Sequence, residues 1–210
     1  PSPIRHAGRM ISTDPESVLR QGTEFFGSGV HRNRGDKIIP QAETSSINTG
    51  KIHILAIRST PCRSKQEGDG GVSTLAMPYS GDIVKFKQGG KEELIVPGDI
   101  HITPRTEQSL EIGYFSGLVI PIDNRQLQRT VTAIGNHKSP QGVNCSVLIR
   151  GDANGRSAGF FGRFWSFIGY INQLLGESNY LPLAMGLDEQ IYRLVAISLF
   201  EQSGKLEDAI

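Results

Sequence analysis

The chain has 210 residues and a net charge of +1, with 22 basic against 21 acidic side chains. That length permits one large domain, or a domain with an appendage, with a real hydrophobic core held without disulfide or metal, and the near-balance of charge gives no sign in the totals of the strongly basic surface that nucleic acid selects. No apolar run approaches the roughly 20 residues that cross a bilayer, no secretory leader is visible, and the two cysteines fit neither a CxxC redox pair nor a zinc clip.

Cys62 and Cys145 therefore read as reduced thiols of a cytoplasmic protein with no membrane partner. The chain opens at Pro1 rather than Met, as a piece cut from a longer protein would. Ser12-Thr13-Asp14-Pro15-Glu16 predicts an N-terminal helix, with Asp14 or a hydroxyl as cap and Pro15 in the first turn. Val18, Leu19, Phe25 and Phe26 give it apolar faces, and Gly27 and Gly29 end it. Residues 28–49 are polar and read as an exposed connection with room for one short strand.

Lys51–Arg58 is rich in β-branched residues and nearly apolar on both sides, which predicts a strand covered on both faces. Cys62–Gly71 reads as a charged hairpin tip. Strands are then expected at Val72–Tyr79, Ile83–Lys87, Glu92–Val96, His101–Thr103, Ser109–Phe115 and Gly117–Ile122. Gly81, Gly89 and Gly98 recur at eight or nine residues, the rhythm of antiparallel strands in a sandwich or barrel. Asp123 or Asn124 caps a helix to Ile134, with Leu127, Val131 and Ile134 at helical spacing. Residues 135–158 are loop-like, and Val143–Ile149 fits a strand or a helical segment equally well.

After Gly159 the pattern turns helical. Phe160, Phe164, Phe167, Ile171 and Leu174 form one stripe, and Phe161, Trp165, Ile168 and Leu175 a second. A surface helix needs one stripe; two imply burial on two sides, within the protomer or against another chain. Gly176–Gly186 is a loop, and Leu187, Ile191, Leu194, Val195 and Ser198 mark a final helix. The α+β order divides into a β unit with flanking helices over 1–150 and a helical hairpin over 151–210.

Catalytic signatures are missing. The five histidines form no HxH or HExxH spacing. Pro97-Gly98-Asp99-Ile100-His101 places a histidine after a turn, but no histidine stands in residues 74–85 to complete a metal set. Pro97-Gly98 is explained as a tight turn, with proline fixing φ at one position and glycine supplying positive φ at the next. No GxSxG elbow, P-loop or GxGxxG appears. The C-terminal helices carry only Arg163 and Arg193, and the gap between them is too long for a helix-turn-helix. Neither enzyme chemistry, metal nor cofactor is expected.

Four turns in order carry a resemblance: Leu75-Ala76-Met77-Pro78-Tyr79-Ser80-Gly81, Gln88-Gly89-Gly90, Ile95-Val96-Pro97-Gly98-Asp99 and Ser116-Gly117-Leu118-Val119-Ile120-Pro121. Together they resemble the N-terminal cupin-like sensor domain of AraC-family transcription regulators, over most of residues 12–203. The resemblance implies a mainly antiparallel cupin-like β-barrel or sandwich with an N-terminal helix and a C-terminal antiparallel helical pair. It also implies a small-molecule effector, a homodimer through the C-terminal helices, and DNA contact only through a further domain absent from these 210 residues. By strand alternation, His53, Leu55 and Ile57 and then Leu75, Met77 and Tyr79 are expected to face the interior as ligand-binding residues, joined by Arg58. Phe160, Phe161, Phe164, Trp165, Ile168, Ile171 and Leu175 are the expected dimer face. The competing expectations are a cupin-type metal-dependent enzyme, which would hold a bound metal, and a stand-alone assembly protein without ligand.

Overall fold

The computed structural model describes residues 8–12, 28–31, 42–49, 52–66, 70–81, 84–88, 91–104, 108–135, 147–150, 160–177 and 184–203. Twelve strands and three helices are assigned among them. The strands are β1 (Gly8–Ser12), β2 (Ser28–His31), β3 (Ala42–Asn48), β4 (His53–Ser59), β5 (Cys62–Gln66) and β6 (Val72–Gly81). There follow β7 (Val84–Gln88), β8 (Lys91–Ile95), β9 (Ile100–Pro104), β10 (Gln108–Ile112), β11 (Phe115–Asp123) and β12 (Val147–Ile149). The helices are α1 (Asn124–Ile134), α2 (Phe160–Glu177) and α3 (Leu187–Ser203). None of these helices is long and apolar enough to cross a membrane.

The strands form two antiparallel sheets. One has seven strands in the order β1-β3-β4-β11-β6-β9-β12, and the other five in the order β2-β5-β10-β7-β8. The two share no strand among the described residues, so the β unit is an open sandwich rather than a closed barrel. The three helices lie on the far side of the larger sheet, which makes it the middle of three layers. Its strands must therefore be apolar on both faces, and β4 and β11 are: six consecutive residues, Phe115–Ile120, are buried in β11.

Each face builds a separate core. Ile54, Ala56, Leu75, Met77, Leu118 and Ile120 pack with Leu127 and Val131 of α1, Phe164, Ile168 and Ile171 of α2, and Ile191 and Val195 of α3. On the opposite face Leu55, Ile57, Phe115 and Val119 meet Ile95 of the smaller sheet, with Ile112 packed alongside. The helix-side core runs continuously from residue 47 to residue 200, so the stretches before and after residue 150 share one interior.

Local signals explain the ends. The Asp123 carboxylate accepts from the backbone N–H of Gln126 at 2.8 Å and caps α1. Behind it, buried Asn124 is clamped: Ser73 Oγ donates to its Oδ1 at 2.6 Å, and its Nδ2 donates to the Gly70 carbonyl at 2.6 Å. The Pro97-Gly98 turn forms as read, with Gly98 at φ 95° and the Asp99 N–H donating to the Val96 carbonyl at 3.0 Å.

Two readings are corrected and one open choice is resolved. Residues 28–49 contain two strands, β2 and β3, and β1 precedes them. Cys62–Gln66 is no hairpin tip but a strand inside the smaller sheet, paired with both β2 and β10. These segments are polar, and only their partners' ladders make them strands. The open choice at Val143–Ile149 resolves to a strand at Val147–Ile149, on the edge beside β9. The expected N-terminal helix falls on residues 13–27, outside the described residues.

Candidate functional site

Register places the candidate ligand residues. Paired residues share a face of a sheet, and Leu118 pairs with both Ala56 and Met77, whereas Val119 pairs with Leu55 and Ala76. Leu55 and Ile57 therefore look into the space between the sheets, as expected. Leu75 and Met77 do not: both are wholly buried against the helices. Their expected place in the sandwich interior is corrected. Both faces of β6 are covered, so alternation alone could not say which side is which. His53 is exposed on its strand.

A polar cluster lies at the inter-sheet face. His101 pairs in register with Ala76 and with Leu148 and is 2% exposed. Burial pushes its imidazole down from 6.5 to about 4; the Arg150 guanidinium adds to the fall, and the Asp99 carboxylate opposes it. Asp99 Oδ2 accepts from Arg150 Nη1 at 2.8 Å and from the Val96 N–H at 3.1 Å, and the same Nη1 donates to the Leu94 carbonyl at 2.7 Å. Arg150 thus ties β12 to the turn between β8 and β9, and His101 is held neutral beside that tie. No group of three or more potential metal ligands occurs among the described residues.

A second site lies on the helix side of the larger sheet. At the end of β3, β4, β11 and β6, register aligns Glu43 with Arg58, Arg58 with Ser116, and Ser116 with Ser80. This polar row lines a cavity of about 140 Å³ together with Ser45, Ala56, Ile57 and Tyr79. Between Ser116 and Gly117 the register slips, so that Gly117 faces Pro78 and Tyr79 is the extra residue on β6. That bulge re-aims Tyr79. Its ring meets the edge of Trp165 on α2, with centroids 5.0 Å apart and planes at 64°.

Of the expected ligand residues, Arg58 and Tyr79 therefore meet at one cavity; Ile57 borders it while packing into the inter-sheet core, and His53, Leu55, Leu75 and Met77 stand elsewhere. Glu43, Ser45, Ser80 and Ser116 join the cavity without having been singled out. Glu43 and Ser45 sit in a segment that reads as a polar connection, and Ser80 and Ser116 read as turn residues. Only register unites them.

The expected dimer face is also redistributed. Phe164, Ile168 and Ile171 are completely buried in the chain's own core and have no surface left for a partner. Trp165 is half-buried against the same core and Tyr79. The side chains of Phe160, Phe161 and Leu175 lie outside the described residues. The stripe α2 leaves exposed is Arg163, Ser166, Gly169, Tyr170 and Gln173.

The sequence matches no family model and no curated protein. Solved structures do match. The AraC-like transcriptional activator CuxR is similar over 92% of this chain and 69% of its own, at a TM-score of 0.63 and 10% identity. Smaller overlaps occur with a putative ethanolamine utilisation protein, EutQ, of Salmonella typhimurium (TM-score 0.33, 9% identity, 45% of this chain and 78% of that one). Another is with KdgF of Halomonas sp. (TM-score 0.31, 11% identity, 44% and 81%). The resemblance carried by the four turn motifs thus reappears in three dimensions: sheets and helices together, the chain has the fold of an AraC-like transcriptional activator.

Proposed function

We propose that these 210 residues are the regulatory domain of a bacterial AraC-like transcription regulator, taking up a small-molecule effector and pairing with a second copy in the cytoplasm. The observation that carries this reading is the similarity to an AraC-like activator across 92% of the chain, at a TM-score of 0.63. The domain makes and breaks no bonds itself, and DNA contact falls to a further domain.

Pairing is assigned to the outer stripe of α2. Tyr170 is 43% exposed there, beside Gly169, where an added Cβ would meet nothing within 4 Å. A tyrosine next to a bare backbone suits a close helix crossing, because aromatic anchors supply contact area and glycine permits approach. Sedimentation velocity tests this. The wild type should run as a dimer at about 100 μM, as expected of an interface covering roughly 800 Å² per partner. Tyr170→Glu should run as a monomer with an unchanged melting temperature. A monomeric wild type would refute the pairing, and a dimeric Tyr170→Glu would move it off α2.

A further inference from the structure

We infer that the cavity on the helix side of the larger sheet is a binding site for a small α-amino acid, and that the bound molecule is felt by α2 through Tyr79 and Trp165. The inference rests on the regulatory reading and names the chemistry its effector would have.

The site is not the space between the sheets. Ala56 lines the cavity and packs in the helix-side core, so the register row that includes Glu43, Arg58, Ser116 and Ser80 opens on that side. Along this face the neighbouring row is apolar, made of Ala56, Leu118 and Met77. The polar row is where helix cover gives way to a recess.

Its chemistry is two opposite charges flanked by hydroxyls. Glu43 and Arg58 stand directly opposite each other across β3 and β4, where Cβ atoms lie about 5 Å apart. A guanidinium takes a carboxylate through two parallel N–H bonds. A carboxylate beside it takes an ammonium. An α-amino acid carries both groups two bonds apart and presents each to its complement. Ser80 and Ser116 can donate to or accept from whatever the two charges leave unmet. The volume of about 140 Å³ sets the size. A cavity of about 150 Å³ admits a benzene-sized molecule of six heavy atoms, which is the size of alanine.

The connection to α2 is short. Tyr79 lines the cavity and its ring abuts Trp165. Trp165 lies on the same helix whose opposite stripe carries Tyr170. A molecule that presses on or anchors Tyr79 changes the support of Trp165, and with it the seat of the helix to which pairing is assigned.

Trp165 is the single tryptophan of the chain, so its emission reports this site directly. Glycine, L-alanine and L-serine would each be titrated to about 10 mM, a range that covers the weak affinities open to so few atoms, with calorimetry in parallel. At least one should change Trp165 emission saturably. Arg58→Gln, an exposed substitution checked for folding by circular dichroism, should weaken that binding at least about tenfold, the cost of one charge-assisted contact. Glu43→Gln should weaken it likewise, and the methyl ester of the binding amino acid should fail. No emission change and no heat with any of the three overturns the proposal. So does binding that Arg58→Gln leaves intact, since that places the molecule elsewhere. Sedimentation without added amino acid reads the pairing separately, so a failed site and a failed regulatory reading give different results.

Discussion

Lowering the pH from about 7.5 to about 4.5 should weaken the fold through His101, by an amount that follows from its position. The side chain is 2% exposed, and its folded value is lowered from 6.5 to about 4, by burial first and by the Arg150 guanidinium second. Above pH 6.5 the imidazole is neutral in both folded and unfolded chains and contributes nothing to the balance. As pH falls through 6.5 the unfolded chain binds a proton that the folded chain refuses, so stability is lost until pH reaches about 4. At about 1.4 kcal/mol per pH unit, the loss is about 1–2 kcal/mol at pH 5.5 and about 2–3 kcal/mol at pH 4.5.

Urea unfolding followed by Trp165 emission, at those three pH values, measures it. Carboxylates contribute to the same acid branch, so the comparison is with His101→Gln, which keeps them and removes the imidazole. The two chains should differ in slope by the amounts above. Arg150→Met should lie between them, because removing the guanidinium leaves Asp99 to raise the imidazole and narrows the window. Parallel pH profiles for wild type and His101→Gln would refute the reasoning.

Two further substitutions test the packing that frames the sites. At Gly117, beside the register slip, an added Cβ would stand 2.5 Å from Phe115 Cζ and 2.7 Å from the Met77 carbonyl oxygen. Gly117→Ala should therefore cost about 1–3 kcal/mol in urea unfolding, as overpacking does; an unchanged midpoint would mean the strands shift freely there. Asn124→Ala strands the Ser73 hydroxyl and the Gly70 carbonyl and should cost about 2–3 kcal/mol. Asn124→Asp, which keeps the acceptor and loses the donor, should not restore the wild-type midpoint.

The order of strong elements was legible because it depends on neighbours in the chain. β4 and β11 announce themselves through apolar β-branched runs, β6 through its run up to the Ser80-Gly81 turn, α1 through its cap and three-four spacing, and the turn after Val96 through Pro97 and Gly98. β3 and β5 were not legible, since Ala42–Asn48 and Cys62–Gln66 are polar and become strands only by joining ladders on both sides. The aromatic helix shows the same boundary. Its two stripes foretold two-sided burial, but Phe164, Ile168 and Ile171 went to the chain's own core and left a polar stripe with Tyr170 outside.

From its sequence alone this protein had its α+β order, its antiparallel strands and its likeness to AraC-like regulators, all of which rest on local spacing and turn chemistry; that the sheets form an open sandwich rather than a closed barrel only the structure decided. Tertiary structure alone decided which face of each covered strand meets the helices, and so moved Leu75 and Met77 away from the sandwich interior. It also gathered Glu43, Arg58, Ser80 and Ser116 at one cavity. The reason is that register is a relation between strands far apart in the chain, and a strand apolar on both sides carries no mark of which side is inward.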